Sequence, residues 1–585
     1  MKKQIRLVIF FSLFTFHFSF LYAQNGSWLW ASHGNNGWIT TGRGQDMVSA
    51  DNSGNCFYTG VLIDDTIKFG SYTLLNSSTL YYDIFLAKFD QNGNVLWAKQ
   101  STQNGNQANA NGYVVSTDAI GNAYIMANFM DKISFESYIL TSQGTGFQDN
   151  FLVKYDPSGN VVWARQPQIP SYYSGGVGNS LATDKNGNSY VNGVFFDTVS
   201  FGGKSLIGII NGAIYNFLVK YDNNGNVKWA KQSVGHSHSG SRGQGVAVNI
   251  MNDVFVAGDF YDSVTFDSFK LRCPSTLDGN VFIVKYDSNG NVKWAKQGII
   301  PSSRNFADQR GIAADNFGNV YVSGLYWDTL IFGNDTLVTI KDNIFLVKYD
   351  SNGNMKWAIA PHVLDNNTWG PTALSSDKRG EIFMSGQGGG PGLCKICFGN
   401  DTLSANDTSN IDIPSFVVKF DSSGKVLCAS INICGGNGNE WNGITSDTSG
   451  NFVYFGATAE TIGVFGSDTI YPYENVGAVP FVARWKECDA TLGINNIITN
   501  TNKAEVKVYP NPSNGTFTLS LSNVNATCNV EIYNILGEKV FTETLPQNQS
   551  NNTISLISQP SGVYFYRVIE ESGNLVGNGK LVIEK

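Results

Sequence analysis

A tryptophan returns along this chain at residues 30, 97, 163, 229, 294 and 357, and Cys428 stands in the next slot. The intervals are 67, 66, 66, 65, 63 and 71 residues. So regular a period requires one supersecondary unit copied many times, because unrelated domains would not keep it. Two other runs recur in fixed order with the tryptophan. Gly-Asn-x-aromatic-x-x-Gly occurs as Gly187-Asn188-Ser189-Tyr190 to Gly193, and Phe-Leu-Val-Lys-Tyr-Asp as Phe151–Asp156 and Phe345–Asp350. The tryptophan run itself, Gly-Asn-Val-x-Trp-Ala-Lys-Gln, is clearest at Gly93–Gln100, Gly225–Gln232 and Gly290–Gln297.

Each unit reads as four short strands, a to d. In the second copy these are Tyr113–Thr117, Ala123–Asn128, Phe151–Tyr155 and Val161–Arg165. Asp118–Asn122 and Asp156–Asn160 form the a–b and c–d turns, where Asp, Asn, Ser and Gly supply side-chain capping and positive φ. The strands are rich in Val, Ile, Tyr and Phe and barely alternate, as strands do when both faces are buried between neighbouring sheets. Repeated four-stranded sheets make a β-propeller. Strand c begins seven times, at Phe85, Phe151, Phe217, Phe282, Phe345, Phe416 and Phe481, and the last has no strand d after it. A spare strand d, Trp28-Leu29-Trp30-Ala31, precedes the first set. The expectation is an all-β fold: a seven-bladed propeller over 24–487 whose N-terminal strand completes the last blade, removing the open edges of the array.

These runs resemble the SBBP-type β-propeller repeats of bacterial secreted proteins over about residues 27–486. Copies six and seven depart from the pattern, with Cys428 for the tryptophan and Val453 for the aromatic after Gly450-Asn451. The resemblance implies no single activity.

After a polar Asn/Thr-rich linker, 488–504, the pattern changes. Val506–Gly515, Val530–Gly537, Ser561–Val568 and Gly579–Ile583 read as the strands and turns of a small Ig-like β-sandwich over 505–585. Their Y-P-N-P-S-N-G-T-F, I-Y-N-I-L-G and S-G-V-Y-F-Y-R-V motifs are similar to the type A C-terminal sorting domain of the type IX secretion system. That resemblance implies export across the outer membrane by this machinery, then removal of the domain, with the body released or attached to surface lipopolysaccharide. At the other end, 1–23 reads as a secretory signal peptide: Lys2, Lys3 and Arg6, an apolar run Val8–Phe20, then Ala23. No later apolar run is long enough to span a bilayer. The localisation expected is secreted or outer-membrane surface.

Losing the signal peptide moves the formal charge from −8 to −11, since three cations and no anions leave with it. Such a balance argues against a nucleic-acid partner. Chemistry has few places to sit. Loops of varied length on a rigid scaffold carry most binding sites, and here those are the b–c and d–a segments. The d–a loops hold His33, His236, His238 and His362, with Trp38, Arg43, Arg242, Arg304, Arg310, Trp369, Glu440 and Trp441. Aromatic rings beside arginines near a propeller axis suit a sugar or peptide. His236-x-His238 lacks a third ligand of matching spacing, so no metal and no cofactor is expected. The Asp-x-Asn-Gly-Asn turns lack the regular acidic ligands and distal Glu of calcium loops. The strand-c lysines (88, 154, 220, 285, 348 and 419, with Arg484) are expected to form salt bridges between blades or to snorkel, and not to bind a ligand. Cysteines in an exported chain favour disulfides: Cys394, Cys397, Cys428 and Cys434 cluster in the sixth unit and its exit loop, and Cys56 and Cys488 fall near the ring closure.

No Gly-x-Ser-x-Gly or His-Glu-x-x-His run occurs, and no catalytic set assembles from the repeat. The expected function is a secreted or surface-attached, non-catalytic module that binds glycan, peptide or surface protein. The alternatives are a carbohydrate-active enzyme with its site in the funnel and a purely structural surface component.

Overall fold

The a–b and c–d turns recur on one five-residue device. In Asp156–Asn160, Asp156 Oδ1 accepts the backbone N–H groups of Ser158 and Asn160 at 2.9 Å, and Oδ2 accepts Asn160 Nδ2 at 2.9 Å. Gly159 follows at φ 84°, a left-handed conformation that costs glycine least. The turns at Asp90, Asp222, Asp287 and Asp350 repeat the same three bonds. In the a–b turns of sets 2, 3 and 5 a tyrosine two residues past the Asn joins in. The Tyr124 and Tyr321 hydroxyls donate to Asp118 Oδ2 and Asp315 Oδ2 at 3.1 and 3.0 Å. The Asp-x-x-Gly-Asn-x-Tyr spacing is therefore one hydrogen-bonded motif. Its carboxylate oxygens are engaged by the turn's own donors.

A computed structural model of the chain describes residues 24–585 apart from 26, 35–38, 41–46, 63–65, 78–81, 104–109, 144–147, 170–174, 209–212, 236–240, 274–278, 302–306, 364–367, 390–391, 399–400, 408–413, 434–442, 448–451, 460–462, 466–467, 471–478, 487–504, 523–525, 536–537, 548–550 and 571–574. All regular structure among the described residues is β-strand. Two compact units result, Met1–Asp489 and Ala490–Lys585.

In the first unit the turns connect antiparallel sets of four strands, a to d. Set 1 is Val48–Ala50, Cys56–Leu62, Asp83–Phe89 and Val95–Gln100; set 2 is Ala110–Thr117, Ala123–Phe129, Asp149–Tyr155 and Val161–Arg165. Set 3 is Gly175–Thr183, Ser189–Phe196, Tyr215–Tyr221 and Val227–Gln232; set 4 is Ser241–Val248, Val254–Phe260, Asn280–Tyr286 and Val292–Gln297. Set 5 is Ala307–Ala314, Val320–Tyr326, Asn343–Tyr349 and Met355–Ile359; set 6 is Thr368–Ser376, Ile382–Gly389, Pro414–Phe420 and Val426–Ile433. Set 7 takes strands a to c from Gly443–Ser446, Phe452–Ala459 and Val479–Lys486, and strand d from the N-terminal segment Ser27–His33. Trp28 stands opposite Trp485 and Ala31 opposite Ala483. Each strand a packs on the next, and Gly443–Ser446 of set 7 packs back on Val48–Ala50 of set 1.

Burial follows position. Strands b and c of sets 1, 2 and 4 are buried at every residue, while strand d is only partly buried. Non-alternating apolar strands thus lie between neighbouring sheets, each interface holding its own core.

A recurring latch fixes one set to the next. Trp163 Nε1 and Lys154 Nζ both donate to the carbonyl of Asn223 in the next c–d turn, at 3.0 and 3.3 Å. Trp97 and Lys88 do the same to Pro157 O, Trp229 and Lys220 to Ser288 O, Trp294 and Lys285 to Ser351 O, Trp357 and Lys348 to Ser422 O. Across the chain ends, Trp30 Nε1 and Arg484 Nη1 converge on Gln91 O at 3.0 and 2.6 Å. Each lysine also lies over an aromatic ring of its own strand b, Lys154 being 5.3 Å from the Tyr124 centroid. The strand-c cations Lys88, Lys154, Lys220, Lys285, Lys348 and Arg484 therefore reach the neighbouring set, but through backbone carbonyls and not through ion pairs. Ion pairs hold two of these lysines within their own sets, Lys285–Asp253 (2.8 Å) and Lys419–Glu381 (2.6 Å).

The second unit holds two antiparallel sheets around one core. Glu505–Tyr509, Thr516–Ser522 and Asn551–Ser555 form one; Lys539–Leu545, Cys528–Tyr533, Gly562–Glu570 and Leu575–Ile583 form the other. Here the strands do alternate, Cys528–Tyr533 burying every second residue, because each sheet keeps one wet face. Phe517, Leu519, Val530, Ile532, Val568 and Leu581 meet inside. On the wet face Glu531 accepts from Lys539 Nζ, Arg567 Nε and the Tyr533 hydroxyl at 2.6, 2.6 and 2.7 Å. The Lys539 hydrogen bond first, then that of Tyr533, hold its carboxyl at about 2 against the rise from burial, with Arg567 adding to the lowering.

Candidate functional site

Strand a carries a β-bulge at the same place in sets 3 to 6, and the bulge builds a polar collar. The register slips at Gly178/Ser180, Gly243/Gly245, Gln309/Gly311 and Pro371/Ala373, leaving Asn179, Gln244, Arg310 and Thr372 as the extra residues. Bulges re-aim side chains. They also crowd strand b opposite: a Cβ on Gly193, Gly258 or Gly324 would meet a strand-a carbonyl oxygen at 2.1, 2.0 or 2.1 Å. Close backbone approach, not positive φ, explains this recurring glycine.

Two of the extra residues, Asn179 and Gln244, link one strand a to the next. Asn179 Nδ2 donates to Gly243 O at 2.7 Å. Gln244 Nε2 donates to Asp308 Oδ1 at 3.0 Å and also to Asp259 Oδ1. Asp308 Oδ2 lies 2.7 Å from Arg310 Nη2. Burial pushes the Asp259 carboxyl up to about 6; the Gln244 hydrogen bond opposes this, Asp308 reinforces it, and Arg242 lowers it. Two arginines, two carboxylates and a bridging amide thus sit together where strand a begins, at the d–a end. Asn192 and Asn216 lie beside them, Asn216 Nδ2 donating to Asn192 Oδ1 at 2.6 Å.

The structure brings together two of the sequence candidates, Arg242 and Arg310, both in strands rather than loops. Arg242 is exposed and Arg310 half-buried. It overturns a third. Trp369 belongs to strand Thr368–Ser376, is 0% exposed, and packs 6.0 Å from Phe416 in the core of sets 5 and 6. That ring supports the fold and is closed to ligand. His33 Nδ1 is 3.2 Å from Gly34 O, and exposed His362 pairs with Cys397 in a short outer strand. Trp38, Arg43, Arg304, His236, His238, Glu440, Trp441 and Cys434 lie outside the described residues. Asp259, Gln244 and Asp308 escaped sequence reading, although a signal existed. In register with Asp259 the other sets carry Val61, Asn128, Val194, Leu325, Gln387 and Thr458, so an acid there breaks the repeat.

At the opposite, a–b end lies a cavity of about 590 Å³ lined by the strand-a ends, including Ser49, Thr117, Thr183, Ser376 and Ser446. Its hydroxyls are engaged between strands. Thr117 Oγ1 donates to Ala50 O (2.9 Å), Ser376 Oγ to Ala314 O (2.8 Å) and Ser446 Oγ to Ser376 O (3.0 Å).

The cysteine expectations divide. Cys428 is disulfide-bonded. Cys397 keeps its thiol, as does Cys56, which is 0% exposed, its Sγ–H directed to Phe57 O at 3.9 Å. Burial pushes the Cys56 thiol well up, and Cys56 forms no bridge to Cys488.

With this geometry in view, the chain can be set beside known proteins. Residues 507–584 match the family described as secretion system C-terminal sorting domain. A WD repeat-containing protein of Acanthamoeba polyphaga mimivirus is 26% identical over 337 residues, covering 48% of this chain and 24% of the relative. The chain thus spans about a quarter of that relative's length. Among solved structures, PorZ of Porphyromonas gingivalis, a surface component of the type IX secretion system, is similar at TM-score 0.30 and 12% identity. That match covers 92% of this chain and 70% of PorZ. Quinohemoprotein alcohol dehydrogenase of Comamonas testosteroni gives TM-score 0.33 and 10% identity, covering 80% and 79%. Among the described residues no helix is long and apolar enough to cross a membrane. The sorting domain marks this protein for export by type IX secretion to the cell surface or the extracellular space.

Proposed function

We propose that the body of this exported protein is a seven-bladed β-propeller that binds an extracellular glycan, peptide or surface protein without catalysis, and that 505–585 is an Ig-like sorting module removed after transport. The matched sorting domain carries the export half of this reading. The collar carries the binding half. Arg242, Gln244, Asp259, Asp308 and Arg310 converge at the end where the variable loops gather, and directed polar groups on a rigid scaffold are how ligands are oriented. Trp38, Arg43, Glu440 and Trp441 belong to d–a loops and would complete the same end.

Glycan and peptide arrays probed with the exported protein test the reading. Arg310→Ala is expected to weaken the best hit about tenfold or more, the loss of one charge-assisted hydrogen bond. Unchanged binding would remove the collar from the site. Turnover of an arrayed glycan that disappears in Asp259→Asn would replace the binding module with the carbohydrate-active enzyme. Deleting 505–585 should leave the protein in the periplasm, and normal surface delivery of that truncation would refute the export reading.

A further inference from the structure

The hairpin tips at the a–b end are not alike. In the c–d turns they are polar, as in Asn223-Asn224, Ser288-Asn289 and Ser351-Asn352. In the a–b turns of sets 2, 4 and 5 they are apolar: Ile120, Ile250, Met251 and Phe317 are 73%, 52%, 52% and 64% exposed. Exposed aliphatics elsewhere, such as Leu75 and Val338, stand singly in short hairpins of different sets, an ordinary feature of a protein surface. The tips of sets 4 and 5 are joined. Met251 lies on the turn that carries Phe317, since a Cβ on Gly318 would meet Met251 Cε at 2.9 Å. Phe317 lies on the turn after it, since a Cβ on Gly380 would meet Phe317 Cδ2 at 3.2 Å. An apolar strip thus crosses the a–b turns of sets 4 to 6, beside the cavity that Ile250 helps to line.

The charges that flank this strip and remain open are both positive. Lys185 and Lys378, at the tips of sets 3 and 6, are exposed and form no ion pair among the described residues. The carboxylates nearby are committed. Asp184 and Asp315 accept from their own turns. Asp253 pairs with Lys285 at 2.8 Å, and Asp377 and Glu381 each hold Arg379 at 2.9 Å. The turn with two apolar tips also departs from the repeat in charge. Asn249 stands where sets 1, 2, 3, 5 and 6 have Asp51, Asp118, Asp184, Asp315 and Asp377, and it holds the turn with the same two backbone bonds. A carboxylate there would lose water whenever the tip entered an apolar medium, a costly step that the neutral amide lessens. Apolar tips flanked by long cationic side chains suit the headgroup layer of a membrane, which is apolar within and anionic outside. The sorting domain sends the chain to the cell surface or the extracellular space, and at a cell surface lipid is the material of that description.

We propose that the a–b end is a lipid-docking face: Ile250, Met251 and Phe317, with Ile120 from set 2, enter the headgroup layer of a membrane bearing phosphate headgroups, and Lys185 and Lys378 pair with those phosphates. The docking is reversible, because few apolar side chains are buried by it. It is independent of any ligand at the collar. The collar lies at the opposite, d–a end, so a chain docked in this way turns the collar away from the membrane.

Co-sedimentation of the full chain with lipid vesicles tests this face. Binding is expected to vesicles of equal parts phosphatidylglycerol and phosphatidylcholine, with weaker binding to phosphatidylcholine alone and a fall as salt rises. The double variant Ile250→Ser, Phe317→Ser should weaken binding about tenfold or more. The double variant Lys185→Gln, Lys378→Gln should bring the mixed vesicles down to the level of phosphatidylcholine. Leu75→Ser, an exposed change away from this end, should bind as the parent does. All of these positions are exposed, so melting midpoints should stay close to that of the parent. No binding to the mixed vesicles, or full binding by the Ile250→Ser, Phe317→Ser variant, overturns the proposal. A parent that ignores vesicles but self-associates, or captures an acidic protein, through these residues overturns it in favour of a protein interface.

Discussion

Six junctions between strand sets are built alike and the seventh is not, and the difference shows what the repeat is for. In the six, a tryptophan lies on the glycine of the next c–d turn: a Cβ added to Gly225 or Gly290 would meet the Trp163 or Trp229 ring at 2.9 Å. The same ring donates to that turn's carbonyl, with the strand-c cation beside it. The motif Gly-Asn-Val-x-Trp is thus two halves of two different contacts. Its glycine receives the tryptophan of the preceding set, and its own tryptophan reaches the next. Where the next turn is missing, between sets 6 and 7, the tryptophan is missing too, and Cys428 stands in its place.

Removing a latch should give the largest effect. Trp294 is 6% exposed, packs 6.0 Å from Phe255 and 6.1 Å from Tyr349, and donates to Ser351 O at 3.2 Å. Trp294→Ala is expected to cost about 3–5 kcal/mol, the usual range for a buried tryptophan, read from the urea midpoint and m-value. A loss below about 1 kcal/mol, the scale of ordinary surface changes, would mean that the latch does not hold the junction.

The receiving half can be isolated by comparing two glycines. Gly225 has φ 76° with the Trp163 ring 2.9 Å from an added Cβ; Gly203 has φ 82° with nothing within 4 Å. Both alanine variants bear the left-handed backbone cost of about 1–2 kcal/mol. Only Gly225→Ala must also displace the ring, adding about 1–3 kcal/mol of overpacking. Equal urea midpoints for the two variants would show that the contact yields freely.

Much of this was legible in the chain itself. The repeat predicted the strands and the pairing of Trp28–Ala31 with the last strand c, because the tryptophan slots run one ahead of the strand-c slots. The latch was not legible, since its two halves lie about 60 residues apart and look like one local motif. The collar was partly legible. Arg242 and Arg310 drew notice as charges outside the repeat, but their placement depends on a one-residue bulge that leaves no mark in periodicity. Trp369 misled for the converse reason: a tryptophan outside the latch slots looked functional, yet strand a extends far enough to bury it.

The smallest expected effect concerns the turns, where the protein contains its own control. Asn249 holds the a–b turn of set 4 with the same geometry as the aspartates, its Oδ1 accepting Met251 N and Asp253 N at 3.0 and 2.9 Å, but without charge. Asp287 performs the charged version. Slight burial would raise its carboxyl, but hydrogen bonds from Asn291, Lys293 and Asn289 outweigh this and hold it at about 2. A carboxyl depressed in the folded state adds stability that is fully present above its unfolded value, near 4, and is lost as pH falls through about 2. Asp90, Asp156, Asp222, Asp350 and Asp421 are shifted down as well, hydrogen bonds from the turn again exceeding the rise from burial. Solvent screening leaves each on the order of a few tenths of a kcal/mol. Urea midpoints should fall together between about pH 4 and pH 2. Asp287→Asn should keep the turn, cost little at pH 7, and flatten that fall slightly. A steep loss at pH 7 would mean that the charge, and not the Asn249-like geometry, holds the turn.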